Sequence, residues 1–78
     1  MIKVKLFGDL KTLMPDTDAK GFWIINEDNL SISDILMKAG VSDTSVQFNT
    51  LVNNVRKAPD YILHDGDYLA VIPLFAGG

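Results

Sequence analysis

The sequence predicts a small α+β domain, a mixed β-sheet with one helix on one face, and three observations carry that expectation. The first is the opening, where Ile2, Val4 and Leu6 alternate with Lys3, Lys5 and Phe7. Successive side chains of a strand point to opposite faces, so this spacing marks a strand with one face in the core. The second is a single helical repeat, with Ile32, Ile35, Leu36 and Ala39 at i, i+3, i+4 and i+7. The third is the apolar run Tyr68-Leu69-Ala70-Val71-Ile72. It is short and apolar at every position, as a strand buried on both faces requires.

The remaining elements follow in chain order. Gly8 ends the first strand, and Leu10, Leu13 and Met14 are spaced for a short helical turn or a packed loop that Pro15-Asp16 closes. Gly21-Phe22-Trp23-Ile24-Ile25-Asn26 is aromatic and β-branched between turn formers, a second strand antiparallel to the first. Phe22, Trp23 and Phe48 are expected in the core. Ser31 stands three residues before Asp34, the spacing of a capping box, and Gly40 falls where a helix end needs positive φ. Ser42 to Ser45 is polar and loop-like, and alternation resumes at Val46-Gln47-Phe48-Asn49. Leu51-Val52-Asn53-Asn54-Val55-Arg56 reads as two strand edges around a tight turn, because Asn tolerates the left-handed conformation.

After a loop at Ala58-Pro59-Asp60, Tyr61, Ile62 and Leu63 are expected to plug the core, and His64-Asp65-Gly66-Asp67 to turn the chain into the last strand. Pro73 has no N–H to donate, so regular pairing is expected to stop near Ile72. A strand apolar on both faces belongs in the middle of its sheet. If it runs parallel to the first strand, the helix covers one face of a mixed sheet, a β-grasp arrangement; the same elements also fit a plain α/β sandwich.

Composition narrows the function by exclusion. A chain of 78 residues is one domain that buries only about 60% of its unfolded surface, which leaves little room for an internal active site. The absence of cysteine removes disulfides, thiolate metal sites, iron–sulfur clusters, a Cys nucleophile and a persulfide on a side chain. A formal charge of −3 without a Lys/Arg cluster argues against nucleic acid. Met1-Ile2-Lys3-Val4-Lys5 is not a signal n-region, and no stretch approaches the roughly 20 apolar residues of a membrane span, so a cytoplasmic protein is expected. His64 is the only histidine and reads as a solvated turn residue. Asp65-Gly66-Asp67 lacks the spaced acids of a calcium loop, and the isolated Gly8 and Gly40 form no phosphate cradle. No metal and no bound cofactor are expected.

What remains is the stretch Pro73-Leu74-Phe75-Ala76-Gly77-Gly78. The reading divides the chain into a domain at 1–74 and a free tail at 75–78, and four extended residues reach about 13 Å. Gly77-Gly78, with no Cβ, can pass a narrow channel and present a terminal carboxylate to chemistry in another protein. Phe7, Leu74 and Phe75 lie where the first and last strands emerge beside this tail. A domain this small does not bury all of them, so they are expected to form a partner surface.

Taken together, Ile2 to Leu13, Leu51-Val52-Asn53-Asn54, Leu63-His64-Asp65-Gly66-Asp67 and Val71-Ile72-Pro73-Leu74-Phe75-Ala76-Gly77-Gly78 resemble the sulfur-carrier family of ubiquitin-like β-grasp proteins. That family includes the small subunit of molybdopterin synthase and the sulfur carrier of thiamine biosynthesis. The specific part of the resemblance is the order of Asp-Gly-Asp turn, apolar strand and Gly-Gly. Pro73 is nearer the molybdopterin type; Leu74 stands where a second proline is frequent, and Asn54 where the family usually has glycine.

The resemblance implies a non-catalytic carrier, the small subunit of a sulfurtransferase. An E1-like adenylating enzyme would use ATP to activate the Gly78 carboxylate, and a sulfur donor would displace AMP to leave a thiocarboxylate. The tail, Ala76 and Gly77 included, would then enter the large subunit of molybdopterin synthase or another sulfur-accepting enzyme. Other outcomes implied by the resemblance are thiamine or another thiocarboxylate-dependent synthesis, and a ubiquitin-like modifier joined to a partner lysine. A module that acts through its surface alone is a further alternative. The missing cysteine fits a carrier, since sulfur then rides on the terminus and no internal thiol competes.

Overall fold

A computed structural model describes residues 1–41 and 47–74. Ile2–Leu6 (β1), Trp23–Ile25 (β2), Phe48–Val52 (β3), Val55–Arg56 (β4) and Tyr68–Pro73 (β5) form one sheet in the order β2-β1-β5-β3-β4. The apolar strand β5 lies at the centre, parallel to β1 and antiparallel to β3, and β2 runs antiparallel beside β1. The helix Ile32–Ala39 (α1) buries Ile32, Ile35 and Leu36 in one cluster with Ile2, Val4, Leu6, Leu69 and Val71. Helix and sheet thus share a single core, and the architecture is the ubiquitin-like β-grasp, not an α/β sandwich.

Local chemistry fixes the ends of these elements. The Ser31 hydroxyl accepts the Asp34 N–H at 3.0 Å, and the Asp34 carboxylate accepts the Ser31 N–H at 3.0 Å. Two of the N–H groups orphaned at a helix start are thereby satisfied. At the other end Gly40, at φ 76°, turns its N–H back to the Leu36 and Met37 carbonyls. Asn53 and Asn54 both take positive φ, 52° and 70°, the backbone of a two-residue hairpin whose twist matches its strands. Asn53 also accepts the Tyr68 N–H at 3.1 Å and donates to Asp67 at 3.0 Å, tying that hairpin to the start of β5.

Four expectations need correction. Phe22 is not in the core: its neighbour Trp23 faces inward opposite Val4, so Phe22 stands on the outer face, edge-on to Tyr68 with ring centroids 5.6 Å apart. Leu63 is buried and Tyr61 packs against the core, but Ile62 between them is 43% exposed because extended chain alternates sides. In β5, Leu69, Ala70 and Val71 are buried, while Ile72 is 38% exposed on the outer face. Pairing also continues past Pro73, for a reason given below.

The second strand is also shorter than its apolar run. Asp18 closes the sheet edge there: its N–H donates to the Phe22 carbonyl at 2.7 Å, and its carboxylate accepts the Phe22 and Lys20 N–H groups, both at 2.9 Å. Free strand edges template association, and this loop covers part of one. The Phe22 N–H, more than nearby Lys3 and Lys20, holds the Asp18 carboxyl below the usual carboxylate range. A depressed carboxyl contributes stability above its unfolded pKa and loses it as pH falls through the folded one. Asp18→Ala is therefore expected to remove amide-exchange protection at Phe22 near neutral pH and to flatten the acid limb of stability. Unchanged protection would show that the edge is closed by other groups.

Among the described residues no helix is long and apolar enough to cross a membrane.

Candidate functional site

The parallel pairing of β1 and β5 brings the ends of both strands to one side of the sheet. The Phe7 N–H donates to the Val71 carbonyl at 3.0 Å, so odd-numbered residues of β5 turn their backbone groups toward β1. Even-numbered ones turn toward β3, since the Tyr68 carbonyl accepts from Asn53 at 2.9 Å and the Leu74 N–H donates to Gln47 at 2.8 Å. The nitrogen of Pro73 thus faces the β1 side, where the next acceptor in the ladder would be the Phe7 carbonyl. That carbonyl is already taken by the Leu10 N–H at 3.1 Å. The missing N–H costs nothing at this position, and the β3 side of the ladder runs on to Leu74.

Gly8 opens the 3-10 turn Gly8–Leu13 at φ 58° and packs beneath the Pro73 ring, where a Cβ would lie 2.9 Å from Pro73 Cγ. Pro73 and Leu74 are therefore held on both sides, by Gly8 against Pro73 and by Gln47 on Leu74. Gly21, at φ 86°, has nothing within 4 Å of a built Cβ and serves as a control for left-handed strain alone, about 1–2 kcal/mol. Gly8→Ala is expected to lower the urea midpoint further than Gly21→Ala and to deprotect the Leu74 amide. Equal losses would mean the Pro73 contact carries no energy.

Of the residues predicted to form the partner surface, Phe7 is half-buried with the Lys5 ammonium 5.3 Å from its ring, and Leu74 is 46% exposed. Both leave the same end of the sheet. Phe75, Ala76, Gly77 and Gly78 lie outside the described residues.

The outer face of the sheet carries a group that the sequence pattern left unassembled. Lys3 is in register with Tyr68 and Lys5 with Ala70; Ala70 is in turn opposite Leu51, and Leu51 opposite Arg56. Cross-strand partners share a face, so Arg56, Leu51, Ala70 and Lys5 form one row across four strands. The Lys3 and Lys5 ammonium groups sit 5.4 and 5.5 Å from the Phe22 ring. Tyr68, partly covered on this face, has its phenol pushed above the usual range by burial.

Among the described residues no cluster of three or more His, Asp or Glu side chains is placed to hold a metal. His64 is an exposed turn residue whose N–H donates to Asp67 at 2.8 Å, and Asp65 pairs with the Met1 amine, which holds its carboxyl below the usual range. A cleft of about 300 Å³ beside β3 is lined by Phe48, Thr50, Arg56 and Lys57, but the Thr50 hydroxyl already donates to the Lys57 carbonyl at 2.7 Å.

Comparison with known proteins agrees with this architecture. SAMP1 from Haloferax volcanii, a solved structure, matches with a TM-score of 0.66 at 20% identity, over 99% of this chain and 98% of that one. At that identity the likeness speaks to the fold. A search of curated proteins finds no significant match. A family model described as Mut7-C ubiquitin matches residues 1–77. That span takes in every strand and the helix, and the chain accordingly belongs to the Mut7-C ubiquitin family.

Proposed function

We propose that this chain is a cytoplasmic ubiquitin-like sulfur carrier that works through the carboxylate of Gly78. The observation that carries the reading is a ubiquitin-like fold whose central strand leads, through a clamped Pro73-Leu74, into Phe75-Ala76-Gly77-Gly78. An E1-like enzyme supplies ATP. A Gly78 carboxylate oxygen attacks the α-phosphorus, pyrophosphate leaves, and a sulfur nucleophile then attacks the acyl carbon and expels AMP. The resulting thiocarboxylate is delivered to a sulfur-accepting enzyme, the large subunit of molybdopterin synthase on the resemblance carried by Pro73. Residues 1–74 serve as the docking body and 75–78 as the inserted tail, with Phe7, Leu74 and Phe75 meeting the partner beside the channel.

This chain supplies position and not acid–base chemistry. The test is intact mass after incubation with the activating enzyme, ATP and a sulfur donor. One oxygen-to-sulfur exchange is expected, and fragmentation is expected to place it on Gly78 as the last residue. An unmodified chain, or a branched conjugate to lysine, would replace the carrier with the surface module or the modifier.

A further inference from the structure

The cleft beside β3 is an uncovered stretch of strand edge. β4 pairs with β3 only at Leu51 and Val52, and the chain beyond it is fastened by the Lys57 N–H to the Thr50 carbonyl at 3.1 Å. The Gln47 carbonyl and the Asn53 N–H bond to β5, so by alternation the backbone groups of Phe48 and Thr50 point the other way, into the cleft. The Phe48 N–H and carbonyl and the Thr50 N–H find no partner among the described residues. On the opposite wall the carbonyls of Lys57, Ala58 and Pro59 already accept from the Thr50 hydroxyl at 2.7 Å, the Tyr61 N–H at 3.0 Å and the Ser33 N–H at 2.9 Å. The cleft is thus rich in donors and poor in acceptors.

Two cations flank it. Arg56 lies opposite Leu51 on the outer face, and Lys57, next in the extended chain, turns to the other side with its ammonium 5.1 Å from the Tyr61 ring. Neither joins an ion pair among the described residues, and the rest of the lining of this space of about 300 Å³ is neutral. The bond between Lys57 and Thr50 closes the groove at that end, so an added strand cannot run through it. The shape fits the end of a chain, and the charge fits an end that carries a carboxylate.

We infer that this blind groove captures residues 75–78 of a second copy, laid as a short strand parallel to β3 with the Gly78 carboxylate between Arg56 and Lys57. Gly77 and Gly78 bring no side chain to the closed end at Thr50, and Phe75 falls beside Phe48 at the open end. A chain's own tail does not reach this position. Four residues extend about 13 Å, and passing from Leu74 to the far edge of β3 takes two strand spacings, about 10 Å, before any run from Phe48 to Thr50 begins. A four-residue contact is far smaller than a stable dimer interface, so capture is reversible and grows with concentration. The occupant rests on the carrier reading, in which Gly78 is the last residue; the groove's demand for a carboxylate end does not. Capture covers the carboxylate that activation needs, so a concentrated pool of the chain is held back from adenylation.

The experiment follows backbone amide resonances of the full chain over about a hundredfold range of its concentration. The Phe48, Thr50, Gly77 and Gly78 amides are expected to shift together as concentration rises. The synthetic peptide Phe-Ala-Gly-Gly with a free carboxylate is expected to shift the first two at fixed protein concentration. Arg56→Gln is expected to weaken peptide binding about tenfold, the scale of one charge-assisted hydrogen bond, and amidation of the peptide's carboxylate to weaken it at least as much. Lys38→Gln, on α1 beside Glu27, is the control and leaves binding unchanged. Shifts that ignore concentration would place the tail on its own chain and overturn capture by a second copy. An amidated peptide bound equally well, or no shift with either peptide, would overturn carboxylate capture. The carrier is judged separately by intact mass: capture without a thiocarboxylate keeps the groove and removes the carrier, and a thiocarboxylate on a tail that is never captured does the reverse.

Discussion

Leu69→Ala is expected to cost about 2–5 kcal/mol, the range for emptying a large buried aliphatic site, and so to lower the urea midpoint by half or more. Leu69 has no exposed surface and stands in the central strand opposite Val4 on one side and Val52 on the other. Its loss leaves a void between both halves of the sheet and α1. A 78-residue chain has a small core, and domains of this size sit near the low end of a stability range of about 5–15 kcal/mol. Ile72→Ala, in the same strand but on the outer face, is the comparison and is expected to cost little. An unchanged denaturant slope is required for the two midpoints to be compared as stabilities. A Leu69→Ala loss below about 1 kcal/mol would mean that β5 does not organise the core.

The parts of this fold that were legible in the sequence are those decided by near neighbours. Ile2, Val4 and Leu6 declare β1 by alternation, Ser31, Asp34 and Gly40 bracket α1 by capping chemistry, and Asn53-Asn54 declares a hairpin by tolerance of positive φ. What was not legible depends on register between distant segments. Phe22 and Trp23 are adjacent and both aromatic; pairing of Trp23 with Val4 decides which of them enters the core. Ile62 and Leu63 pose the same choice with no local sign. Pro73 lacks a donor and so signals a stop, but the consequence depends on which neighbour its nitrogen faces, and only the ladder says so.

The candidate site divides in the same way. Parallel β1 and β5 bring Phe7 and Leu74 together, since the strand ends then coincide. The basic row could not, because Arg56 joins Lys5 only through Leu51 and Ala70 on two intervening strands. The signal was present in part: Lys3 and Lys5 are the polar half of an alternating strand. Nothing in the sequence near Arg56 says which strand it will share a face with.

Deleting Gly78, or adding one alanine after it, is expected to reduce ATP–pyrophosphate exchange with the activating enzyme by at least 100-fold while leaving the urea midpoint where it was. The chemistry proposed for Gly78 requires its carboxylate oxygen in line with an α-phosphorus held by another protein. One residue more or less moves that oxygen by about 3.5 Å, and a misplacement near 1 Å already costs about 100-fold when reacting atoms must be aligned. Stability is expected to be indifferent, because the last described backbone bond of the sheet is made by Leu74 to Gln47, four residues earlier. Binding provides the second readout. Both variants retain residues 1–74, the body proposed to dock, so their affinity for the enzyme is expected to fall far less than their exchange rate, a split between docking and chemistry that an unfolded or misfolded chain would not show. Exchange at the unaltered rate by either variant would remove Gly78 from the reaction and leave the surface of the domain as its only working part.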